Sequence, residues 1–275
     1  METQEKITTI TDWLKDYSDK GFVVGVSGGV DSAVTSTLCA MTGRPTIVVF
    51  IPEIHNKKGF TLAEQHMHEL GLRFANIESK TIEINQLVHN FKLMMSGLKC
   101  NNELALANSK ARFRMLTLYH IAQANNMLVC GTGNKVEDFG VGFYTKYGDG
   151  GVDISPIGDL YKSEVYELAE VLEVNEDIIE ATPTDGLWAD GRNDEEQLGI
   201  TYNEAEWAMR VDEKGIDQKK LDPISERTYL KYGEWHDKNS HKMKPIPVCK
   251  FDTVVLKTKE EESREYDWQV SIDSD

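Results

Sequence analysis

The sequence predicts an α/β protein, a doubly wound parallel sheet carrying a helical C-terminal extension. Three features point there. The runs FVVGV, PTIVVFI and MLVCG are apolar nearly throughout, the pattern of strands covered on both faces. Segments of helical spacing that end in glycine lie between them. Past about residue 175 the texture changes to a stretch rich in Asp, Gly and Thr, followed by further helical segments.

The elements follow in order. METQEKITTITDWLKDYSDK reads as a charged amphipathic helix without the apolar centre of a signal peptide. FVVGV is the first strand, and DSAVTSTLCAMTG a helix stopped by Gly43. PTIVVFI is the second strand, and GFTLAEQHMHELG a helix closed by Gly71. KTIEI is expected as the third strand, NELALANSKARFRMLTLYHIAQANN as a long helix, and MLVCG as the fourth strand. Alternating strands and helices make residues 1 to about 175 a parallel sheet with helices on both faces. ATPTDGLWADGRNDEEQLG is expected to be a long loop or lid, since loops of that length in compact domains are usually functional. TYNEAEWAMRV and ISERTYLKYGEWHDKNSHK are expected as helices, and KTKEEESREYDWQVSIDSD as a solvated acidic tail. The expected organisation is one domain over 1–275, with its core at about 1–248 and the tail at about 249–275.

Composition narrows the function. The chain has 275 residues, 40% of them hydrophobic, enough for a packed core. A formal net charge of -16 argues against wholesale binding of nucleic acid or of an anionic membrane. No apolar run approaches the length that spans a bilayer, so a cytoplasmic protein is expected. Cys39, Cys100, Cys130 and Cys249 form no CxxC pair, which argues against zinc and against a disulfide framework; they are expected to be buried. His66 and His68 stand two apart on a helix and should face different ways, so they are not read as a metal pair.

The chemistry concentrates after the first strand, in VSGGVDS. Ligands of parallel α/β sheets bind beyond the carboxyl ends of the strands, and this turn lies there. Gly28 and Gly29 let the backbone come close to a ligand, Ser27 and Ser32 offer hydroxyls, and the following helix start presents backbone N–H groups to an anion. The Walker sequence GxxxxGK[ST] is absent. Asp31 repels phosphate inside such a turn unless a divalent cation lies between, and magnesium bridging Asp31 to a pyrophosphate resolves the conflict. The bland alternative is a tight strand-to-helix corner with Asp31 favoured by the helix dipole. GTGNKV, at 131–136, resembles a dinucleotide fingerprint but has Val136 where the third glycine belongs.

The string SGGVDS resembles the pyrophosphatase-type loop of ATP-cleaving ligases that release AMP. NAD synthetase, GMP synthetase, asparagine synthetase and tRNA-thiolating enzymes carry it. LANSKARFRM adds Lys110, Arg112 and Arg114 within about one helical turn, GTGNKVE adds Glu137, and FYTKYGDGGVDI adds Lys146, Asp149 and Asp153. With PTDGL, EEQLGITY and a terminal His241-Lys242, these segments from roughly residue 20 to 247 resemble the NAD synthetase family.

The resemblance implies an adenine nucleotide alpha hydrolase-like fold and ATP-dependent amidation of deamido-NAD by ammonia, through an acyl-adenylate, to NAD, AMP and pyrophosphate. It implies that Gly25, Ser27, Gly28, Gly29, Val30, Asp31, Ser32, Thr132, Lys162 and Thr184 bind ATP. Asp31 and Glu137 would be magnesium ligands, with Lys162 the cation at the transferring phosphate; these three are the catalytic set. Asn108, Arg112, Lys146, Asp149, Asp153, His241 and Lys242 would bind deamido-NAD, in sites shared across a homodimer. No glutamine-hydrolysing domain is expected in a chain of this length, so ammonia is the expected nitrogen donor, free or delivered by a separate glutaminase subunit. PTDGL departs from the commoner PTADL at Asp185 and Gly186. The competing expectations are a related adenylating ligase for another acid, or a non-catalytic nucleotide sensor. A different acid-binding segment in place of KYGDGGVD would mark the first, and loss of Asp31 and Glu137 the second.

Overall fold

In the computed structural model residues 1–52, 57–98, 100, 102–184 and 193–250 are described. Helix α1 (Thr3–Tyr17) leads into β1 (Phe22–Val26), α2 (Val30–Met41), β2 (Thr46–Phe50) and α3 (Lys57–Arg73). Then come β3 (Ile77–Thr81), α4 (Asn85–Ser96), α5 (Glu103–Asn125) and β4 (Leu128–Cys130). A six-residue π-helix (Val136–Val141) follows, then α6 (Lys162–Val171), α7 (Glu176–Ile179), α8 (Asp194–Leu198), α9 (Tyr202–Glu213) and α10 (Pro223–Met243).

The strands run parallel in the order β3-β2-β1-β4. Chain order reverses beside β1, so the β1 and β4 carboxyl ends flank the switch point where such sheets bind ligands. Alternation along the strands fills two cores. Phe22 and Val24 pack toward α1, α2 and α6 with Leu14, Leu38, Val165 and Leu168, while Val23, Ile47, Val49 and Val129 pack toward α5 with Met115, Leu118 and Ile121. A third cluster joins Val136 and Val141 of the π-helix to Leu198, Tyr202, Ala205, Met209 and Tyr232. The C-terminal helices therefore build their own apolar core, with the π-helix as one wall.

The expected doubly wound sheet with a helical C-terminal region is present, and three details change. The third strand is Ile77–Thr81, three residues ahead of KTIEI, because an edge strand carrying exposed Glu78 and Ser79 lacks the apolar signal of a central one. Gly71 does not close α3, which runs on to Arg73, where the guanidinium Nη2 donates to the Leu172 carbonyl at 3.0 Å. Helix α4, in a segment with no element expected from the sequence, is present with no buried residue. Gly43 does end its helix, at φ +72°.

The chain divides into Met1–Met243 and Lys244–Asp275. In the second part, residues 244–250 have no regular structure, and the rest of the expected tail lies outside the described residues. Among the described residues no helix is long and apolar enough to cross a membrane. Cys39 and Cys130 are buried with their sulfurs 3.5 Å apart, whereas Cys100 and Cys249 are exposed, against expectation for those two.

His66 is buried and His68 exposed, on different faces as expected. Ser36 donates its hydroxyl proton to the Ser32 carbonyl (2.7 Å), which leaves its oxygen to accept from His66 Nε2 (2.8 Å). Burial, and secondarily Arg73, lowers the His66 pKa to about 4. Below pH 6.5 the unfolded chain takes up a proton at this histidine that the folded chain refuses, so the contribution of His66 to stability falls as pH drops from about 6.5 to 4. Between pH 7 and 5 the loss is about 2 kcal/mol, from 1.36 kcal/mol per pKa unit. Asp138 and Asp149, which burial raises to about 8 and about 6, act in the opposite sense, so the comparison isolates the histidine: from pH 7 to 5 the urea-unfolding stability of wild type should change by about 2 kcal/mol less favourably than that of His66→Gln, and equal changes would contradict it.

Candidate active site

The turn after β1 closes on itself. Gly28 sits at φ +87°, and a Cβ there would lie 2.5 Å from the Gly59 carbonyl oxygen of α3, so only glycine fits. Ser27 and Ser32 hydroxyls lie 3.1 Å apart, the Gly29 N–H donates to Ser27 Oγ (3.2 Å), and Ser32 Oγ donates to the Gly29 carbonyl (2.9 Å). Gly29 caps α2, so the first-turn N–H groups of that helix point along the turn. Gly25 lies within β1 against Leu118, where a side chain would crowd the leucine, and Val30 is packed in the core.

Asp31, in the first turn of α2, accepts from two groups of other elements. Asn134, in the turn after β4, donates its amide to Asp31 Oδ1 (3.0 Å), and its own oxygen accepts the N–H groups of Val136 and Glu137 (both 3.1 Å). One buried asparagine thereby fixes the π-helix start against α2. π-turns of this kind gather at functional sites. Lys162 opens α6 and donates to Asp31 Oδ2 at 2.5 Å and to Glu137 Oε1 at 3.0 Å. Its backbone is held firmly: Glu164 accepts the Tyr161 N–H, and Glu206 of α9 accepts both the N–H and the hydroxyl of Ser163. Tyr202 donates to Glu137 Oε1 at 2.6 Å, with Lys162 Nζ 4.7 Å from its ring centre.

The electrostatics follow from burial and this shared ammonium. Burial alone would lower Lys162, but Asp31 and Glu137 raise it well above the ordinary lysine value. Burial raises Asp31 against the pull of Lys162. Burial would raise Glu137 also, yet Lys162 and the Tyr202 hydrogen bond bring it below the usual carboxylate value. Two carboxylates meeting at one cation are hard oxygen donors of the kind magnesium accepts. Among the described residues they do not join a third His, Cys, Asp or Glu in a metal-binding group. A divalent ion held by these two carboxylates would need further oxygen ligands from outside the protein, such as phosphate or water.

A second group surrounds the turn at 142–149. Asn108 Oδ1 accepts from Thr145 Oγ1 (2.6 Å), Asp149 accepts the Thr145 N–H (3.0 Å), and Arg112 Nε donates to the Lys146 carbonyl (3.2 Å). Lys146 Nζ reaches the His241 carbonyl (3.0 Å), and Lys242 Nζ donates to the carbonyls of Gly142 (2.7 Å) and Tyr144 (2.8 Å). Asp153 stands apart, its two oxygens taken by the Val129 N–H and the Tyr119 hydroxyl. Thr132 follows β4, and Thr184 is exposed at the edge of residues 185–192, which lie outside the description together with Asp185 and Gly186. The rest of the expected lid is not all loop, since α8 occupies Asp194–Leu198.

The sequence model of the NAD synthase family matches residues 2–246. The chain belongs to the NAD synthase family. The match takes in every candidate residue named above, from Gly25 to Lys242. An NH3-dependent NAD synthetase of Methanosarcina acetivorans is 35% identical over 263 residues, covering 90% of this chain and 98% of that protein. Among solved structures, an NMN synthetase from Francisella tularensis superposes with a TM-score of 0.79 at 33% identity, over 91% of this chain and 100% of that one. An NH3-dependent NAD synthetase from Campylobacter jejuni gives 0.73 at 28% identity, again over 91% and 100%.

This NAD synthase family member also places residues in the site that the motifs did not single out. Asn134 lies inside GTGN and Tyr202 inside EEQLGITY, motifs that by themselves point to no role for either side chain. Glu206, in NEAEW, carried no local signal at all; its task depends on α9 packing beside α6.

Proposed function

We propose that this chain condenses deamido-NAD with ammonia at the cost of ATP, giving NAD, AMP and pyrophosphate. The observation that carries the reading is the meeting of Asp31, Glu137 and Lys162 beside a glycine turn, at the switch point of a NAD synthase family fold. A carboxylate oxygen of the substrate attacks the α-phosphorus, and the bond to the pyrophosphate oxygen breaks. Ammonia then adds to the acyl carbon, AMP leaves with the bonding pair, and the surplus proton passes to solvent.

The α2 N–H groups and the Ser27 and Ser32 hydroxyls receive phosphate oxygens, releasing the bonds they make within the turn. Lys162 turns from its two carboxylates toward the transferring phosphoryl group, where negative charge grows. Asp31 and Glu137 would hold magnesium, which when bound neutralises the pyrophosphate. Asn108, Arg112, Lys146, Asp149 and Lys242 offer polar groups around one turn for the dinucleotide acid, while His241 enters through its carbonyl and Asp153 through the sheet edge it holds.

A homodimer in the cytoplasm belongs to the same reading. Its support is apolar side chains on and beside α4 and α5: Leu93, Met94, Leu98, Leu104 and Leu116 are each more than half exposed. Sedimentation should return twice the chain mass; a monomer at micromolar concentration would remove this part.

The deciding experiment incubates the protein with magnesium, ATP, ammonium and deamido-NAD. Equal amounts of NAD and AMP are expected, and ADP release would exclude the mechanism. The likeness to the Francisella NMN synthetase supports one second reading, amidation of the corresponding mononucleotide acid. The same assay run with both acids separates the two by kcat/KM.

A further inference from the structure

Tyr202 has a position that neither ATP binding nor acid binding uses. It is the first residue of α9, 5% exposed, in the apolar cluster that the π-helix roofs. Its hydroxyl is 2.6 Å from Glu137 Oε1 and 3.3 Å from Asp194 Oδ2, and one proton serves only one acceptor at a time. Its backbone N–H donates to Glu195 Oε1 at 2.9 Å. The Asp194 N–H in turn donates to the Pro183 carbonyl at 3.1 Å, next to Thr184. Backbone N–H groups therefore tie the start of α8 to Pro183 on one side and Tyr202 to Glu195 of α8 on the other, and the Tyr202 hydroxyl closes the link on Glu137, with Asp194 as its alternative acceptor.

We propose that Tyr202 is a positioning residue for the metal-binding carboxylate Glu137, coupling the segment around Pro183 and Asp194 to metal affinity at the active site. The inference rests on the proposed magnesium role of Asp31 and Glu137. A carboxylate with one oxygen fixed by a buried phenol presents the other in one orientation, and its ring face backs the Lys162 ammonium that must move aside when a metal enters. Groups that orient a metal ligand in this way are worth 10–100-fold in metal affinity. Tyr202→Phe keeps the ring and its contact with Lys162 while deleting the hydrogen bond.

The test is Mn2+ binding, followed by electron paramagnetic resonance of free ion, in the presence of a non-hydrolysable ATP analogue. Tyr202→Phe should bind Mn2+ about tenfold more weakly than wild type, and the Mg2+ activation constant should rise by a similar factor with kcat at saturating metal little changed. Tyr232→Phe, another buried tyrosine of the same cluster, should bind Mn2+ as wild type does. Equal affinity in Tyr202→Phe and wild type would overturn the proposal. So would equal weakening in both variants, or unfolding of Tyr202→Phe alone, since either makes the hydroxyl a packing group. If wild type with nucleotide binds no Mn2+, it is the metal role of Asp31 and Glu137 that fails, a distinct result.

Discussion

Lys162→Met should lower kcat/KM for NAD formation by roughly 10³-fold, the loss expected when one preorganised charge is removed from a charge-developing centre. The same change strips the single ammonium from between Asp31 and Glu137, whose side chains are only 17% and 18% exposed. Leaving buried charge without its partner costs about 3–5 kcal/mol. Two further readouts identify the cause. Without Lys162 both carboxylates take folded pKa values above their unfolded ones, so the folded variant binds more protons and gains stability as pH falls from 7 toward 5. That gain should exceed the wild type's, in which buried Asp138 and Asp149, raised to about 8 and about 6, also favour the folded state as pH falls and His66 opposes them. Magnesium should also stabilise the variant more than the wild type, because no ammonium competes for the carboxylates. AMP release and urea unfolding, each with and without magnesium, measure these effects. Near-normal turnover would show that Lys162 is a structural ion pair only.

Asp31→Asn should depress pyrophosphate release by roughly 10³-fold while the protein stays folded. Asparagine keeps the shape and still accepts from Asn134, and Lys162 retains Glu137 as partner, so the turn has no reason to open. What disappears is the negative charge that binds a divalent ion against the phosphates. Magnesium should consequently cease to tighten ATP binding, measurable by calorimetry with the non-reacting analogue. Full turnover by this variant would show that the phosphates are neutralised elsewhere.

Different parts of this molecule were legible to different degrees. β1, β2 and β4 announce themselves because a strand buried on both faces must be apolar throughout. β3 does not, because at its edge Glu78 and Ser79 face solvent, whereas β4, at the other edge, is covered by α5 and by Val152 and Ile154. The VSGGVDS turn is readable because its function is local: glycine, hydroxyl and carboxylate lie within seven consecutive residues, and the backbone alone brings them together. The resemblance to NAD synthetase implies Glu137 as a metal ligand beside Asp31 and Lys162 as a cation at the phosphate, but the bond from Lys162 to Asp31 joins residues 131 apart, and no period or spacing encodes it.

The sequence by itself determined the class of the fold and the glycine turn with its carboxylate, since each depends on burial pattern or on neighbours along the chain, and its resemblance to NAD synthetase supplied the residues expected for adenylation. Tertiary structure alone decided that one ammonium serves both carboxylates, that Asn134 ties the π-helix to α2, and that Tyr202 holds Glu137. Those contacts exist because strand order places the β1 and β4 ends side by side and because α6 and α9 pack over them. Packing of distant segments is a property of the whole chain, and local patterns of residues do not carry it.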